Sequence, residues 1–238
     1  KKPMTNTSNH SITSEQMYAI EENADVHLGM KRLLMMENAG HGTADFILRQ
    51  LDSSLKSKKI VAVCGSGNNG GDAFVACRHL AAARIARIAV LLLTAPKEIR
   101  TPEAKTNWSI ISKMRSLKRI TMENHHQSNL SRAIELEIED ADIILDGLLG
   151  TGVKGQIREP YSFAIDKVNK SKAYTLAIDI PSGLDPNSGK PSNKCIKANA
   201  TITFHRMKKG LNLSKKYTGS VQVERIGIPP EAEDGVFT

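Results

Sequence analysis

Lys59-Ile60-Val61-Ala62-Val63-Cys64-Gly65-Ser66-Gly67-Asn68-Asn69-Gly70-Gly71-Asp72 is the stretch whose reading decides the fold. Its first six residues form a continuous apolar run with no polar alternation, and they stop at glycine. Such a run reads as a short strand buried on both faces, the kind found in parallel sheets. Gly65, Gly67 and Gly70 then match the G-x-G-x-x-G spacing in a strand–turn–helix context. Glycines permit a tight turn and close backbone approach, and the helix that follows, read as Gly70 to Ala83, points free N–H groups at an anion.

The same alternation extends in both directions. Toward the N-terminus, Thr13 and Gln16 fit a capping box, so a helix is predicted from there to about Ala24. A second helix is predicted from about Met30 to Leu51, with Gly40 and Gly42 breaking its middle. Toward the C-terminus, strands are predicted at Ile85–Leu93, Arg119–Met122, Ala141–Asp146, Tyr174–Asp179, Ala198–Phe204 and Val221–Ile226. Helices are predicted at Pro102–Met114, Leu130–Leu136 and Pro160–Asn169. Repeated strand–helix–strand units imply right-handed crossovers and a mostly parallel central sheet covered on both faces. The expected fold is a three-layer α/β/α, Rossmann-like domain over residues 13–238, preceded by a flexible arm over residues 1–12.

Composition narrows the function. The 238 residues include only ten aromatics, so the core must be built from Ile, Leu, Val and Ala. No apolar run approaches the length of a spanning helix, and the polar stretch Lys1–Gln16 has no signal-peptide pattern. Cys64, Cys77 and Cys195 lie far apart without metal spacing, which reads as free buried thiols in a reducing compartment and points to the cytoplasm. The net charge is +8, but no aromatics interleave with the basic groups, so nucleic-acid binding is not expected. Lys56-Ser57-Lys58-Lys59, Arg206-Met207-Lys208-Lys209 and Lys215-Lys216 read as solvated surface with mild anion steering.

Ligand crevices of open α/β sheets lie beyond the carboxyl ends of the strands, and three loops there carry chemistry. The first is the glycine loop. It differs from a dehydrogenase site, because the second strand ends Leu92-Leu93-Thr94 without the acid that would grip a ribose, and from a Walker loop, because no Lys-Ser/Thr pair follows. The second runs Asp146-Gly147-Leu148-Leu149-Gly150-Thr151-Gly152-Val153-Lys154-Gly155, a flexible N–H-rich loop with one cation. The third runs Asp179-Ile180-Pro181-Ser182-Gly183-Leu184-Asp185. Ser182 has no Gly-x-Ser-x-Gly elbow and none of the seven histidines falls in these three loops, which removes a Ser-His-Asp hydrolase. Convergence of the loops would bring together the Asn69 amide oxygen, the Asp146 carboxylate and the Ser182 hydroxyl. These hard, weakly charged ligands suit a monovalent cation better than zinc.

Met36-Glu37-Asn38-Ala39-Gly40, Gly67 through Asp72, Asp146 through Gly155, and Asp179 through Asp185, in that order, resemble the NAD(P)H-hydrate epimerases, the YjeF N-terminal domain family. The resemblance runs from about Ile12 to Pro229, with Ala73 standing where the family often has glycine. It implies an isomerase that interconverts the R and S epimers of NADHX and NADPHX at ring carbon 6, a step in nicotinamide cofactor repair. It implies potassium held by Asn69, Asp146 and Ser182. Substrate contacts are implied for Asn68, Asn69, Gly70, Gly71 and Asp72, for Gly150, Thr151, Gly152, Val153, Lys154, Gly155 and Gln156, and for Asp179. Asp179 is the expected proton-transfer group, and Lys154 the second candidate, assisting that transfer or binding phosphate. The implied partner is an ADP- or ATP-dependent dehydratase, separate or fused, and the implied assembly a homodimer. Two other classes remain: a non-catalytic binding module, for which loss of Asp179, Asn69 or Asp146 would be expected, and an ordinary NAD(P) oxidoreductase, which lacks its ribose acid here.

Overall fold

The computed structural model describes residues 11–50, 57–124, 127–152 and 155–237. Its centre is a seven-stranded sheet in which every pairing is parallel. The strands are β1 (Lys59–Cys64), β2 (Arg87–Leu92), β3 (Lys118–Thr121), β4 (Ile143–Gly147), β5 (Tyr174–Ile178), β6 (Ala200–Phe204) and β7 (Ser220–Glu224). Their spatial order is β3-β2-β1-β4-β5-β6-β7. The helices are α1 (Ser14–His27), α2 (Arg32–Gln50), α3 (Asn68–Ala82), α4 (Pro102–Ile111), α5 (Gln127–Glu139), α6 (Tyr161–Lys170) and the short α7 (Lys215–Thr218).

Alternation along each strand divides the core into two layers. Ile60, Ala62 and Cys64 of β1 face the cluster that takes in Ile20 of α1, Phe46 of α2, Phe74 of α3 and Ile111 of α4. Val61 and Val63 face the opposite cluster, with Ile134 of α5 and Ile165 of α6. Right-handed crossovers require this split. The chain steps outward from β1 to β3 through α3 and α4, then returns across the sheet to β4 and β5, so α5 and α6 land on the other face. The reversal leaves a crevice between the tips of β1 and β4, the switch point of a doubly wound sheet.

Two expectations change here. Gly40 and Gly42 do not break α2, which runs unbroken from Arg32 to Gln50. A Cβ on Gly40 would lie 2.3 Å from the Val75 Cβ of α3, so that glycine admits a close approach of two helices instead. The helix-propensity cost is about 1 kcal/mol, and the packing it permits sets α3 against α2. The Thr13–Gln16 capping box forms as read: Gln16 N donates to Thr13 Oγ1 at 3.1 Å and Thr13 N to Gln16 Oε1 at 2.9 Å. Ile12, the last residue of the expected arm, is fully buried. Its N donates to Met207 O at 2.8 Å and its O accepts from Lys209 N at 2.9 Å, which ties the start of the described chain to the segment after β6. Residues 1–10 lie outside the described residues.

The crossover from β5 to β6, residues 179–199, carries no helix. Long helix-free connections are uncommon in compact domains and usually functional. This one holds Asp179 and Ser182.

Candidate functional site

A cavity of about 420 Å³ opens over the tips of β1, β4, β5 and β6, within the usual range for a small-molecule site. Asn68, Asn69, Asp72, Gly150, Thr151, Gly152 and Asp179 line it, as expected. Gly70 and Gly71 are buried in the first turn of α3 rather than lining the cavity. Gly155 and Gln156 are exposed and do not line it. Val153 and Lys154 lie outside the described residues.

The floor is the junction of the first two loops. Gly65 N donates to Gly147 O at 3.0 Å, and a Cβ on Gly65 would lie 2.0 Å from Leu148 O. Only a residue without a side chain lets the β1 and β4 loops touch. Gly67 precedes α3 with no side-chain cap, so the first N–H groups of that helix remain for a ligand. Arg100, fixed by its N–H to Ser66 O at 2.9 Å, reaches over Gly67 and lines the cavity.

Beneath the floor lies the expected cation set. Asp146 is 1% exposed and Ser182 is fully buried. Ser182 donates through its Oγ to Asp146 Oδ1 at 2.5 Å and through its N to Asp146 Oδ2 at 2.7 Å, while Leu149 N donates to Ser182 Oγ at 2.9 Å. Burial raises the Asp146 carboxyl to about 6 against these donors. Asn69 donates its Nδ2 to Leu149 O at 3.0 Å, which fixes the amide orientation and leaves a buried Oδ1 with no hydrogen-bond partner. A buried carbonyl oxygen without a donor, near a carboxylate without a countercharge, fits an oxygen-liganded monovalent cation. Among the described residues, no group of three or more His, Cys, Asp or Glu is placed to hold a metal.

The ion-paired end lies at the tips of β5 and β6. Asp179 follows β5 with φ +62°, and Ile180 N donates to Ile178 O at 2.8 Å across it. An i-to-i+2 bond around a left-handed residue is a γ-turn of the rarer, strained form. His205 repeats the device after β6, with φ +65° and Arg206 N to Phe204 O at 2.7 Å. Asp179 Oδ1 accepts from Thr203 Oγ1 at 2.9 Å, from Phe204 N at 3.3 Å and from Lys208 Nζ at 2.7 Å. Glu103 of α4 lines the same cavity, as do two carboxyls that feel the charge of Asp179, Glu21 of α1 and Asp72 of α3. Burial raises both, that of Asp72 well above the usual range, with Asp179 adding to each and Lys208 opposing. In Glu21 the neighbouring Arg32 guanidinium, 2.9 Å away, also opposes.

The basic group Arg206-Met207-Lys208-Lys209 is therefore not solvated surface throughout. Lys208 is 1% exposed and Arg206 9%. Arg206 pairs with Glu233, its Nε 2.5 Å from Glu233 Oε1. Lys208, Glu21, Arg32, Arg100 and Glu103 are the charged cavity groups that the sequence reading missed. Lys208 follows a predicted strand and so met the strand-end criterion, but its charge pattern concealed it. Nothing local in the sequence marks Glu21 or Arg100. Asp185 does not reach the cavity, and instead holds its own turn through Asn187 N at 3.0 Å and Ser188 N at 2.7 Å. Cys64, Cys77 and Cys195 are buried free thiols, and burial raises Cys77 and Cys195 to about 12. Among the described residues no helix is long and apolar enough to cross a membrane.

The family profile described as YjeF-related protein N-terminus matches residues 32–210. An NAD(P)H-hydrate epimerase from Cenarchaeum symbiosum is 47% identical, with 95% of this chain and 99% of that protein covered. An NAD(P)H-hydrate epimerase from Nitrosopumilus maritimus is 43% identical with the same coverage. A bifunctional NAD(P)H-hydrate repair enzyme, Nnr, from Pyrobaculum aerophilum is 40% identical, covering 94% of this chain but 43% of that protein. The fold is similar to a crystal structure of yeast ynu0, YNL200c, with a TM-score of 0.80 at 21% identity, covering 96% of this chain and 94% of that one.

Proposed function

The chain belongs to the YjeF-related protein N-terminus family, and from that premise we propose that it is an NAD(P)H-hydrate epimerase, an isomerase interconverting the R and S epimers of NADHX and NADPHX. The observation that carries the reading is one cavity that joins an uncapped helix N-terminus to an ion-paired carboxylate. The first suits the phosphates of a dinucleotide and the second a proton transfer at its other end. Arg100, above Gly67, adds a guanidinium on the phosphate side.

The reacting carbon carries both a hydroxyl and the ring nitrogen. Loss of the hydroxyl as water, or opening of the N–C bond, makes it planar, and the reverse step on the other face inverts it. Either route moves a proton at that oxygen. Asp179 carries this proton, and Asp72, whose carboxyl burial raises well above the usual range, is the second carboxyl placed to donate to the oxygen or to the amide of the ring. Lys154, outside the described residues, remains the proposed second proton-transfer or phosphate-binding group.

Asn69, Asp146 and Ser182 are the proposed potassium set, and the unpaired Asn69 Oδ1 supports it. When bound there, potassium would supply a fixed positive charge that holds the β4 and β5 loops in register. The proposal extends to a cytoplasmic homodimer. Its product would pass to an ADP- or ATP-dependent dehydratase, an activity that the bifunctional relatives suggest as a fused neighbour.

The test is direct. Pure protein incubated with (R)-NADHX should bring the two epimers to a common ratio by chromatography, and an unchanged ratio overturns the reading. Calorimetric titration should show NAD(P)HX bound about 5- to 100-fold tighter than NAD(P)H, because a group placed to pair the extra hydroxyl is left unpaired without it, at about 1–3 kcal/mol.

A further inference from the structure

Lys208 is among the largest fully buried side chains of the protein. An ammonium removed from water costs several kcal/mol unless every hydrogen finds an acceptor. Here all three do: Asp179 Oδ1 at 2.7 Å, Thr203 Oγ1 at 3.1 Å and Phe204 O at 2.8 Å. Thr203 Oγ1, while accepting from Lys208, donates its own hydrogen to Asp179 Oδ1 at 2.9 Å. Lysine, threonine and aspartate thus close a ring in which each hydroxyl and ammonium hydrogen has one place to go. All these donors converge on Oδ1. Among the described residues no protein donor meets Oδ2.

Mechanical linkage of the two strand tips does not require this ring. Asp179 N already donates to Ile202 O of β6 at 2.7 Å. Buried ion pairs are in general poor stabilisers, often replaceable by apolar residues of similar volume. The lysine backbone is held on both sides by Ile12, through Met207 O and Lys209 N. The segment is therefore fixed before its side chain reaches the carboxylate. The charged groups facing Asp179 are Lys208 from the segment after β6, Asp72 from α3 and Glu21 from α1. Lys208 is the fully buried cation among these groups and pairs with Asp179, whereas Glu21 pairs with Arg32.

We propose that Lys208 is the positioning residue of the epimerase: it locks Oδ1 of Asp179 and so aims Oδ2 at the oxygen of the reacting carbon. The proposal rests on the epimerase reading. The ammonium also sets a positive charge 2.7 Å from the Asp179 carboxylate.

The experiment compares wild type, Lys208→Met, Asp179→Asn and the double variant, measuring kcat and KM for (R)-NADHX across pH. Lys208→Met should lower kcat about 10- to 100-fold with KM changed less than about 3-fold. The acid limb of its kcat profile should move to higher pH, because loss of a positive neighbour raises a carboxyl. The double variant should be no slower than Asp179→Asn alone, since the lysine acts through the aspartate. An unmoved acid limb, or multiplying losses, overturns the proposal. Should Lys208→Met fail to fold, Thr203→Val removes one member of the ring and should move the limb in the same direction by less, and no movement overturns it. Should wild type show no turnover, the epimerase reading fails by itself. Carbon NMR titration of the Asp179 carboxyl, assigned by its loss in Asp179→Asn, then decides the coupling: a shift between wild type and the Lys208 or Thr203 variant supports it, and none overturns it.

Discussion

Asp146 and Asp179 stand at the tips of neighbouring strands and are treated in opposite ways. Asp146 remains within the regular ladder of β4 and receives only neutral donors, the Ser182 N–H and hydroxyl and, at 3.3 Å, Leu148 N. Burial without a countercharge raises it to about 6. Asp179 leaves its ladder in a left-handed turn and meets a lysine ammonium at 2.7 Å. The first carboxylate is short of a positive charge, and the second has one supplied by the chain. A site short of charge beside the orphaned Asn69 oxygen suits an exchangeable cation, whereas a site with a built-in lysine suits a permanent chemical task.

The largest expected effect breaks the Asp179 side. Asp179→Asn keeps size and removes the ionisable group, and it should slow epimerisation about 100-fold or more with folding intact. Near-wild-type turnover would remove Asp179 as proton carrier. Asp72→Asn should cost less, about 10- to 100-fold in kcat if its carboxyl donates a proton, since the amide keeps the hydrogen bonding. A change confined to KM would reduce Asp72 to a binding group.

The Asp146 side should respond in stability instead. Thermal melts in potassium against a bulky organic cation should show wild type gaining about 1–3 kcal/mol, and Asn69→Ala and Ser182→Ala should each need more potassium for the same gain. Asn69→Ala is the cleaner probe, because its Oδ1 has no protein partner to lose. Equal melting in both salts for every variant would remove the cation site. The smallest effect is a control outside the cavity. The Arg206 guanidinium, bonded to Glu233, holds that carboxyl below the usual range against burial. A lowered carboxyl stabilises the fold above its unfolded value and loses that contribution as pH falls through its folded value. Wild type should therefore exceed Glu233→Gln by about 1 kcal/mol near neutrality, and the gap should close as pH drops below the ordinary glutamate value of 4.5.

Reading from local pattern had particular reach. The β1 run and its glycine loop announced themselves, because burial on both faces leaves no polar alternation and close loop contact leaves no side chain. Asp146, Asp179 and Ser182 were legible because strand ends in a parallel sheet point at the crevice. Gly40 was misread as a helix breaker because its cause, Val75 on another helix, is not local. Lys208 was misread as surface for the same reason: among neighbouring basic residues nothing marks which one turns inward.

The sequence by itself determined the alternation of strands and helices, the three loops at strand ends and the family resemblance they carry. These follow from period, apolar runs and glycine spacing, which are properties of neighbours along the chain. Only the tertiary structure decided that Ile12 braces the Lys208 segment, that Glu21 and Arg100 reach the cavity, and that one aspartate is given a lysine while its neighbour is left with neutral donors. Those outcomes depend on which charges burial brings within a few ångströms of each other, from residues as far apart in sequence as Asp179 and Lys208. No local pattern encodes them.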